Sequence, residues 1–84
     1  VYGERGATLY CIQDTAAAAQ SMLLAATEVG LGSCWVGSFD EAAVASVLSL
    51  GEGVRPVAML AIGYPAEAAP ERTRRDAAET VLFR

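Results

Sequence analysis

The sequence predicts one small unit of mixed helices and strands, in which the sheet lacks some of its partner strands. Segments rich in β-forming residues alternate along the 84-residue chain with segments rich in helix-forming residues. Hydrophobic residues make up 54% of the chain and charged residues 19%, which is more apolar than a small soluble monomer needs. The excess indicates either a subunit with a large buried interface or a part of a larger domain.

The first two predicted elements are a strand and a long helix. Residues 7–12, ATLYCI, are rich in β-forming types and predict a short strand. Asp14 can then cap a helix over residues 15–29, whose alanine, leucine and methionine residues favour helix formation. Gly30 is placed to end this helix, because glycine readily adopts the left-handed conformation that follows a helix carboxyl terminus.

The long predicted helix carries two adjacent apolar stripes. Their members are Ala18, Met22, Ala25 and Val29 in one stripe, and Ala19, Leu23 and Ala26 in the other. A helix that is apolar nearly all round is buried, and its many alanines allow another helix to approach closely. We therefore expect a core helix at a subunit interface.

Two further strands enclose a second helix. Residues 33–37, SCWVG, predict a short buried strand, and Asp40 can cap a helix that runs through Leu50. A turn at residues 51–53, GEG, leads into RPVAMLAIG at residues 55–63. This continuous apolar run is typical of a central strand that is buried on both faces.

The carboxyl-terminal segment is predicted to be mostly loop. Tyr64 and Pro65 end the preceding strand, and residues 66–76, AEAAPERTRRD, have the composition of an extended surface loop. Residues 79–83, ETVLF, predict a terminal strand or an arm. The predicted order is strand, helix, strand, helix, strand, long loop and short strand.

Charge and cysteine content exclude several classes of function. The net charge of −4 argues against a general nucleic-acid binder, and no apolar run reaches the roughly 20 residues that span a membrane. Because the chain has no histidine, Cys11 and Cys34 cannot form a Cys/His zinc site or a Cys–His catalytic pair. We expect reduced, buried thiols in a cytosolic protein, and we predict no catalytic side chain and no metal site.

The segment Gly30-Leu31-Gly32 matches the start of a dinucleotide-binding loop, but the rest of that pattern is missing. A G-x-G-x-x-G motif requires glycine at position 35, which is Trp35. The motif also follows a strand and opens a helix, whereas this segment follows a helix and opens a strand. Gly30 and Gly32 are better explained as a helix stop and a tight turn.

Trp35, Val36, Gly37 and Ser38 form a stronger candidate site. One interpretation is a core strand in which the tryptophan fills space. The other is a segment whose backbone meets a flat aromatic ligand. Glycine at position 37 leaves room for close approach, and N–H groups at the end of a strand can donate to ligand heteroatoms.

Arginines cluster near the carboxyl terminus, at Arg72, Arg74, Arg75 and Arg84. In one interpretation they lie on a solvated loop and are balanced by three acidic residues, Glu67, Glu71 and Asp76. In the other they bind phosphate, for which guanidinium groups are good partners. The second interpretation requires the cluster to lie near residues 35–38.

In this order, the segments resemble the carboxyl half of the FMN-dependent nitroreductase family. The resemblance rests on an alanine-rich helix preceded by aspartate, Gly-Leu-Gly-Ser-Cys-Trp-Val-Gly at 30–37, and Phe-Asp at 39–40 before a short helix. A strand that ends in Gly-Tyr-Pro at 63–65 and an arginine-containing tail complete it. It covers nearly the whole chain, so we expect residues 1–84 to be the carboxyl-terminal part of a single nitroreductase-like domain.

The resemblance implies an α+β fold with a mixed sheet flanked by helices, which is incomplete in this chain. Members of the family are homodimers that bind two FMN molecules at the subunit interface. By this resemblance, Trp35, Val36, Gly37 and Ser38 run beside the isoalloxazine ring, with the N–H groups of Gly37 and Ser38 facing its N5/O4 edge.

The resemblance also assigns the arginine cluster and the carboxyl terminus. Arg74 corresponds best to the arginine that meets the FMN phosphate, and Arg75 is the next best match. The segment 79–83 would reach over the partner subunit. In the family, an Arg/Ser-rich stretch that also binds the phosphate belongs to the amino half, and we expect that stretch to lie outside residues 1–84.

The activity implied by the resemblance is that of an FMN-dependent NAD(P)H oxidoreductase. Hydride would pass from NAD(P)H through flavin N5 to an electron-poor acceptor, such as a nitroaromatic compound or a quinone, in a ping-pong scheme. A non-catalytic flavin-binding module, a structural α/β dimerisation domain, and a flavin-cleaving or dehalogenating relative are the alternatives. The expected partners are a second copy and the small-molecule acceptor, with no nucleic acid and no membrane, in the cytoplasm.

Overall fold

The computed structural model describes residues 1–83, which form helices and one two-stranded antiparallel sheet. In chain order the elements are α1 (Gly3–Arg5), a π-helical turn (Gly6–Tyr10), α2 (Cys11–Glu28), β1 (Gly32–Val36), α3 (Glu41–Val47), β2 (Met59–Gly63) and α4 (Ala77–Thr80). The prediction of an α+β fold with an incomplete sheet is confirmed. Arg84, counted above among the clustered arginines, lies outside the described residues.

The predicted strand at residues 7–12 is wrong, because α1, the π-helical turn and α2 follow one another without a break. A six-residue run in which five residues are apolar does not distinguish a strand from a helix by its period. Thr8, a β-forming residue, is accommodated in the helix because its hydroxyl donates to the carbonyl oxygen of Glu4 at 2.8 Å. Asp14 consequently lies inside α2 and makes no cap hydrogen bond, contrary to prediction.

The end of α2 is formed by glycine, as predicted. Gly30 has a φ of 82°, in the left-handed region that glycine adopts without strain. Its N–H donates to the carbonyl oxygen of Thr27 at 3.1 Å, and the N–H of Leu31 donates to that of Ala26 at 2.9 Å. These two bonds satisfy carbonyl groups of the last helical turn and direct the chain into β1.

The sheet consists of β1 and β2, in a register that runs from Gly32 opposite Gly63 to Val36 opposite Met59. Both strands were predicted, but the expected burial is absent. Of the residues in β2 only Leu60 is half-buried, and β1 is the only strand that pairs with β2 among residues 1–83. β2 is therefore not a central strand buried on both faces within this chain. Its apolar side chains can be buried only by residues outside the described chain.

Helix α2 packs on the sheet through one of its two predicted stripes. Ala19 and Ala26 are 7% and 6% exposed and are the two buried residues of the described chain, and Leu23 between them is half-buried. Their small side chains allow the helix to approach both strands. The other stripe remains open, with Met22 and Val29 exposed. The expectation of a core helix is thus met on one face only.

The segment after β1 is held by a helix cap. The side chain of Asp40 accepts a hydrogen bond from the N–H of Ala43 at 3.0 Å, as the sequence predicted, and α3 begins beside it. α3 ends at Val47, three residues before the predicted end at Leu50. Ser49, with a φ of 54°, takes the left-handed position that Gly30 occupies after α2.

Residues 79–83 were predicted to be a terminal strand or an arm. The strand is wrong, because α4 occupies Ala77–Thr80 and residues 81–83 form no strand, whereas the arm stays a prediction. α4 packs on no other element of the described chain, so nothing is available to pair with an extended segment here. The loop predicted at residues 66–76 is confirmed.

The described residues spread out more than a self-contained domain of this length. Their radius of gyration is 16.8 Å, whereas a compact chain of this length has about 12 Å. Their accessible surface is 7479 Å², compared with about 4,700 Å² for a compact monomer of the same mass. Exposed apolar side chains account for much of the excess surface. Cys11 and Cys34 were predicted to be buried, but both are exposed, and neither forms a disulfide.

Candidate functional site

Trp35, Val36, Gly37 and Ser38, which we call the β1 exit, lie where the chain leaves the sheet. Trp35 and Val36 are the last residues of β1 and pair with Leu60 and Met59, and the other two follow the strand. Val36 is half-buried, whereas Gly37 and Ser38 are exposed and Trp35 is 39% exposed. Because so much of the indole is accessible, the core-strand interpretation is not supported within the described chain.

Gly37 is not required by the conformation or the packing of its own chain. Its φ lies outside the left-handed region that favours glycine. A Cβ added there would meet only Nε1 and Cδ1 of Trp35, at the ordinary contact distances of 3.7 and 3.9 Å. The N–H groups of Gly37 and Ser38 donate no hydrogen bond to any of residues 1–83. The β1 exit therefore has two backbone donors, on the exposed residues Gly37 and Ser38, that bond to no other described residue.

Trp35 borders residues of α2 on one side. It lines a small cavity of about 80 Å³ between α2 and the chain that leads into β2, together with Ile12, Thr15, Ala16, Val57 and Ala58. The strand register fixes the backbone of Trp35, and 39% of the residue remains exposed within the described chain.

An ion pair that the sequence did not predict lies close to the β1 exit. Arg55 Nε donates to Glu41 Oε2 at 2.9 Å, and Arg55 Nη2 donates to Glu41 Oε1 at 2.8 Å. This two-point pairing lowers the pKa of the Glu41 carboxyl from its ordinary value of 4.5, chiefly through the hydrogen bonds from Arg55. The residues are 14 positions apart, so no helical spacing signals the pair, and only the turn between α3 and β2 brings them together.

Arg72, Arg74 and Arg75, which we call the arginine tail, lie on the exposed loop before α4. Nη1 of Arg74 donates to the carbonyl oxygen of Thr73 at 3.1 Å, and the other guanidinium nitrogens of Arg74 donate to none of the described residues. Arg55–Glu41 is the one ion pair within residues 1–83, so the acidic residues that could balance the tail do not pair with it there. The tail thus presents largely unengaged cationic donors.

The structure does not bring the two predicted parts of the site together within the described chain. The β1 exit follows the Val36 end of the sheet, whereas the chain leaves β2 toward the arginine tail at the other end, at Gly63. A groove of about 830 Å³ lies at that other end, between Leu31, Cys34 and the loop that carries Pro65 and Pro70. No hydrogen bond, ion pair or shared cavity among residues 1–83 joins the tail to the β1 exit.

No other kind of site is evident in the part of the chain that the structure describes. Residues 1–83 contain no group of three or more metal-ligating side chains close enough to hold an ion. Among the described helices, none combines the length and apolar character needed to cross a membrane.

Comparison with known proteins gives the same relationship as the sequence pattern. The Nitroreductase family matches residues 1–64. A protein of Methanothermobacter thermautotrophicus, provisionally named NADH dehydrogenase/NAD(P)H nitroreductase, is 36% identical over 62 residues, which cover 69% of this chain and 32% of that protein. An FMN reductase (NADPH) of Bacillus subtilis is 38% identical over 63 residues, which cover 73% of this chain and 25% of that protein. The chain thus matches only a quarter to a third of the length of these relatives.

Proposed function

Because the chain belongs to the nitroreductase family, we propose that it is the carboxyl-terminal part of a domain of an FMN-dependent NAD(P)H oxidoreductase. When bound, FMN would supply hydride chemistry through N5, between NAD(P)H and an electron-poor acceptor such as a nitroaromatic compound or a quinone, in a ping-pong order. The residues of this chain then need only bind and orient the cofactor. This suits a chain without histidine, and the names of the two relatives support flavin and NAD(P)H use.

The observation that carries the proposal is the pair of N–H groups on the exposed residues Gly37 and Ser38, which donate no hydrogen bond within residues 1–83. They stand at the end of a strand, they donate to nothing in residues 1–83, and the glycine adds no side chain in front of them. Such fixed donors suit the heteroatoms at the edge of an isoalloxazine ring and favour negative charge there. The accessible face of Trp35 adds apolar surface for a flat ring.

The arginine tail fits the phosphate of the same cofactor. Arg74, with Arg75 next to it, has guanidinium donors that the described residues leave largely unengaged. Guanidinium groups bind phosphate through charge-assisted hydrogen bonds, which are among the stronger polar contacts in proteins. The tail and the β1 exit lie apart in the described chain. Both would contact one FMN if the remainder of the domain redirects the tail, or if the two parts come from different subunits.

We further propose a cytoplasmic homodimer that acts on a small molecule and binds neither nucleic acid nor a membrane. The accessible surface of residues 1–83 exceeds that of a compact monomer by about 2,700 Å², which is more than a standard interface buries in total. Exposed side chains such as Met22, Val29 and Ile62 make that surface apolar. The family resemblance supports a second copy of the chain as one of the partners that bury this apolar surface.

An absorption spectrum of the purified full-length protein tests the proposal. Flavin bands that remain after gel filtration, together with FMN-dependent oxidation of NADH or NADPH, would support it. A colourless protein that does not take up added FMN would indicate a structural dimerisation domain instead. Bound flavin without oxidation of either nucleotide would indicate a non-catalytic flavin-binding module.

A further inference from the structure

The β1 exit belongs to a short ring of chain that is closed at two points. One point is the pairing of Val36 with Met59 at the end of the sheet. The other is the two-point hydrogen bonding of Glu41 by Arg55. Residues 37–40 connect the two points on one side. We call this arrangement the edge ring.

The other side of the ring is stiffened by its sequence. Residues 56–58 connect Arg55 to Met59, and the first of them is Pro56, whose ring fixes its own φ. A residue before proline is also restricted to extended backbone, so Arg55 has few backbone conformations available. The backbone that carries the Arg55 side chain therefore has little conformational freedom.

The side that carries Gly37 and Ser38 has its own fixed end. Asp40 caps α3 through the N–H of Ala43, and Glu41 is the first residue of that helix. Residues 37–40 are thus held by strand pairing at one end and by a cap and an ion pair at the other. Without the ion pair, no other described hydrogen bond would tie the start of α3 to the segment before β2.

We infer that Glu41 and Arg55 are positioning residues that hold the Gly37 and Ser38 N–H groups in the direction required by the flavin edge. The pair does not touch the cofactor in this assignment, and it acts by limiting the movement of residues 37–40. This inference rests on the proposed function, because it presumes that the β1 exit meets FMN. Donors that are fixed before binding cost less ordering when the ligand arrives, so loss of the pair should weaken binding.

The test compares four variants of the full-length protein. Glu41→Gln and Arg55→Gln each break the pair, and the double variant removes both partners. Glu52→Gln removes the same charge from a neighbouring turn without touching the pair, because Glu52 forms no ion pair within the described chain. Dissociation constants are measured by fluorescence titration with FMN and with riboflavin, which lacks the phosphate, and the two-electron potential of bound FMN is measured by dye equilibration.

We expect each single variant to raise the dissociation constants of FMN and riboflavin by the same factor, about three- to fivefold, as for the loss of one exposed ion pair. The double variant should be no worse than either single one, because the two residues act as one contact. The potential should also become more negative, because edge donors favour the reduced flavin. A threefold greater loss for the reduced form corresponds to about 14 mV.

Two results would overturn the inference. One is that both single variants bind the flavins as Glu52→Gln does. The other is that the binding loss follows a fall in melting temperature while the potential stays unchanged, which would make the pair merely structural. If the unaltered protein takes up neither FMN nor riboflavin, the proposed function itself fails, and this outcome is distinct from both of the others.

Discussion

The β1 exit and the arginine tail are the two parts of the candidate site, and they differ in how the described chain supports them. The β1 exit is held by strand pairing at the end of the sheet and lies within the edge ring, which the Glu41–Arg55 pair closes. The arginine tail lies on a loop before α4, which packs on no other element within residues 1–83. The chain therefore orders the part proposed for the flavin ring and leaves the part proposed for the phosphate to contacts outside the described residues. The two parts should respond differently to mutation.

The largest expected effect is on phosphate binding by the arginine tail. Arg74→Ala should raise the FMN dissociation constant about tenfold to a hundredfold, which is typical for the loss of hydrogen bonds to a charged group, and should leave folding nearly unchanged. Riboflavin affinity should not change, because riboflavin has no phosphate. Fluorescence titration with both ligands checks this. Arg72→Ala is the matched control, because Arg72 lies on the same loop but only Arg74 and Arg75 are assigned to the phosphate. Unaltered FMN affinity in Arg74→Ala would remove this residue from the site.

The β1 exit should respond to added volume and should not distinguish the two ligands. Gly37→Ala should weaken FMN and riboflavin binding equally, by about 1 to 2 kcal/mol, because the new methyl group occupies space needed by the ring. Stability should be unaffected, since the added Cβ meets Trp35 only at ordinary distances. Gly51→Ala is the control, because a Cβ there meets nothing within 4 Å. Titration and thermal melting provide the measurements, and a loss of FMN affinity alone would contradict the ring-edge assignment.

The two aspartates that the sequence predicted as caps should differ in their contribution to stability. Asp40→Ala should destabilise the protein by about 1 kcal/mol, because its side chain accepts the N–H of Ala43 at the start of α3. Asp14→Ala should change stability by less than about 0.5 kcal/mol, since Asp14 lies inside a helix and caps nothing. Urea unfolding of both variants measures the difference. Equal losses would show that Asp14 has a contact beyond those of residues 1–83.

The smallest expected effect is the pH dependence of the Glu41–Arg55 pair. Arg55 lowers the pKa of Glu41 below 4.5, so the pair stabilises the fold above that pH and loses its effect as the pH falls through the lowered pKa. The stability difference between the unaltered protein and Glu41→Gln should therefore be constant near neutral pH and shrink below about pH 4.5. Urea unfolding at a series of pH values measures it. In an Arg55→Gln background the same comparison should show a smaller dependence on pH.

Local sequence alone determined much of the path between α2 and β2. Gly30 ends α2 and Asp40 caps α3, and the strands at residues 33–37 and 55–63 were predicted with boundary shifts only. These features depend on one or a few adjacent residues, whose backbone preferences and side-chain hydrogen bonds act at short range. The family relationship followed from their order and spacing. The candidate site residues remain predictions.

Only the tertiary structure decided what depends on distant partners. Residues 7–12 and 79–83 have strand-forming composition, but a strand needs a neighbour to pair with, and both segments contain helix instead. The same reason explains why β2, apolar enough for the centre of a sheet, stands at an edge within residues 1–83. The Glu41–Arg55 pair was also unpredictable, because its partners meet across a turn whose geometry no residue spacing reveals. The sequence pattern indicates which surfaces are apolar enough to be buried, and the tertiary structure determines which elements bury them.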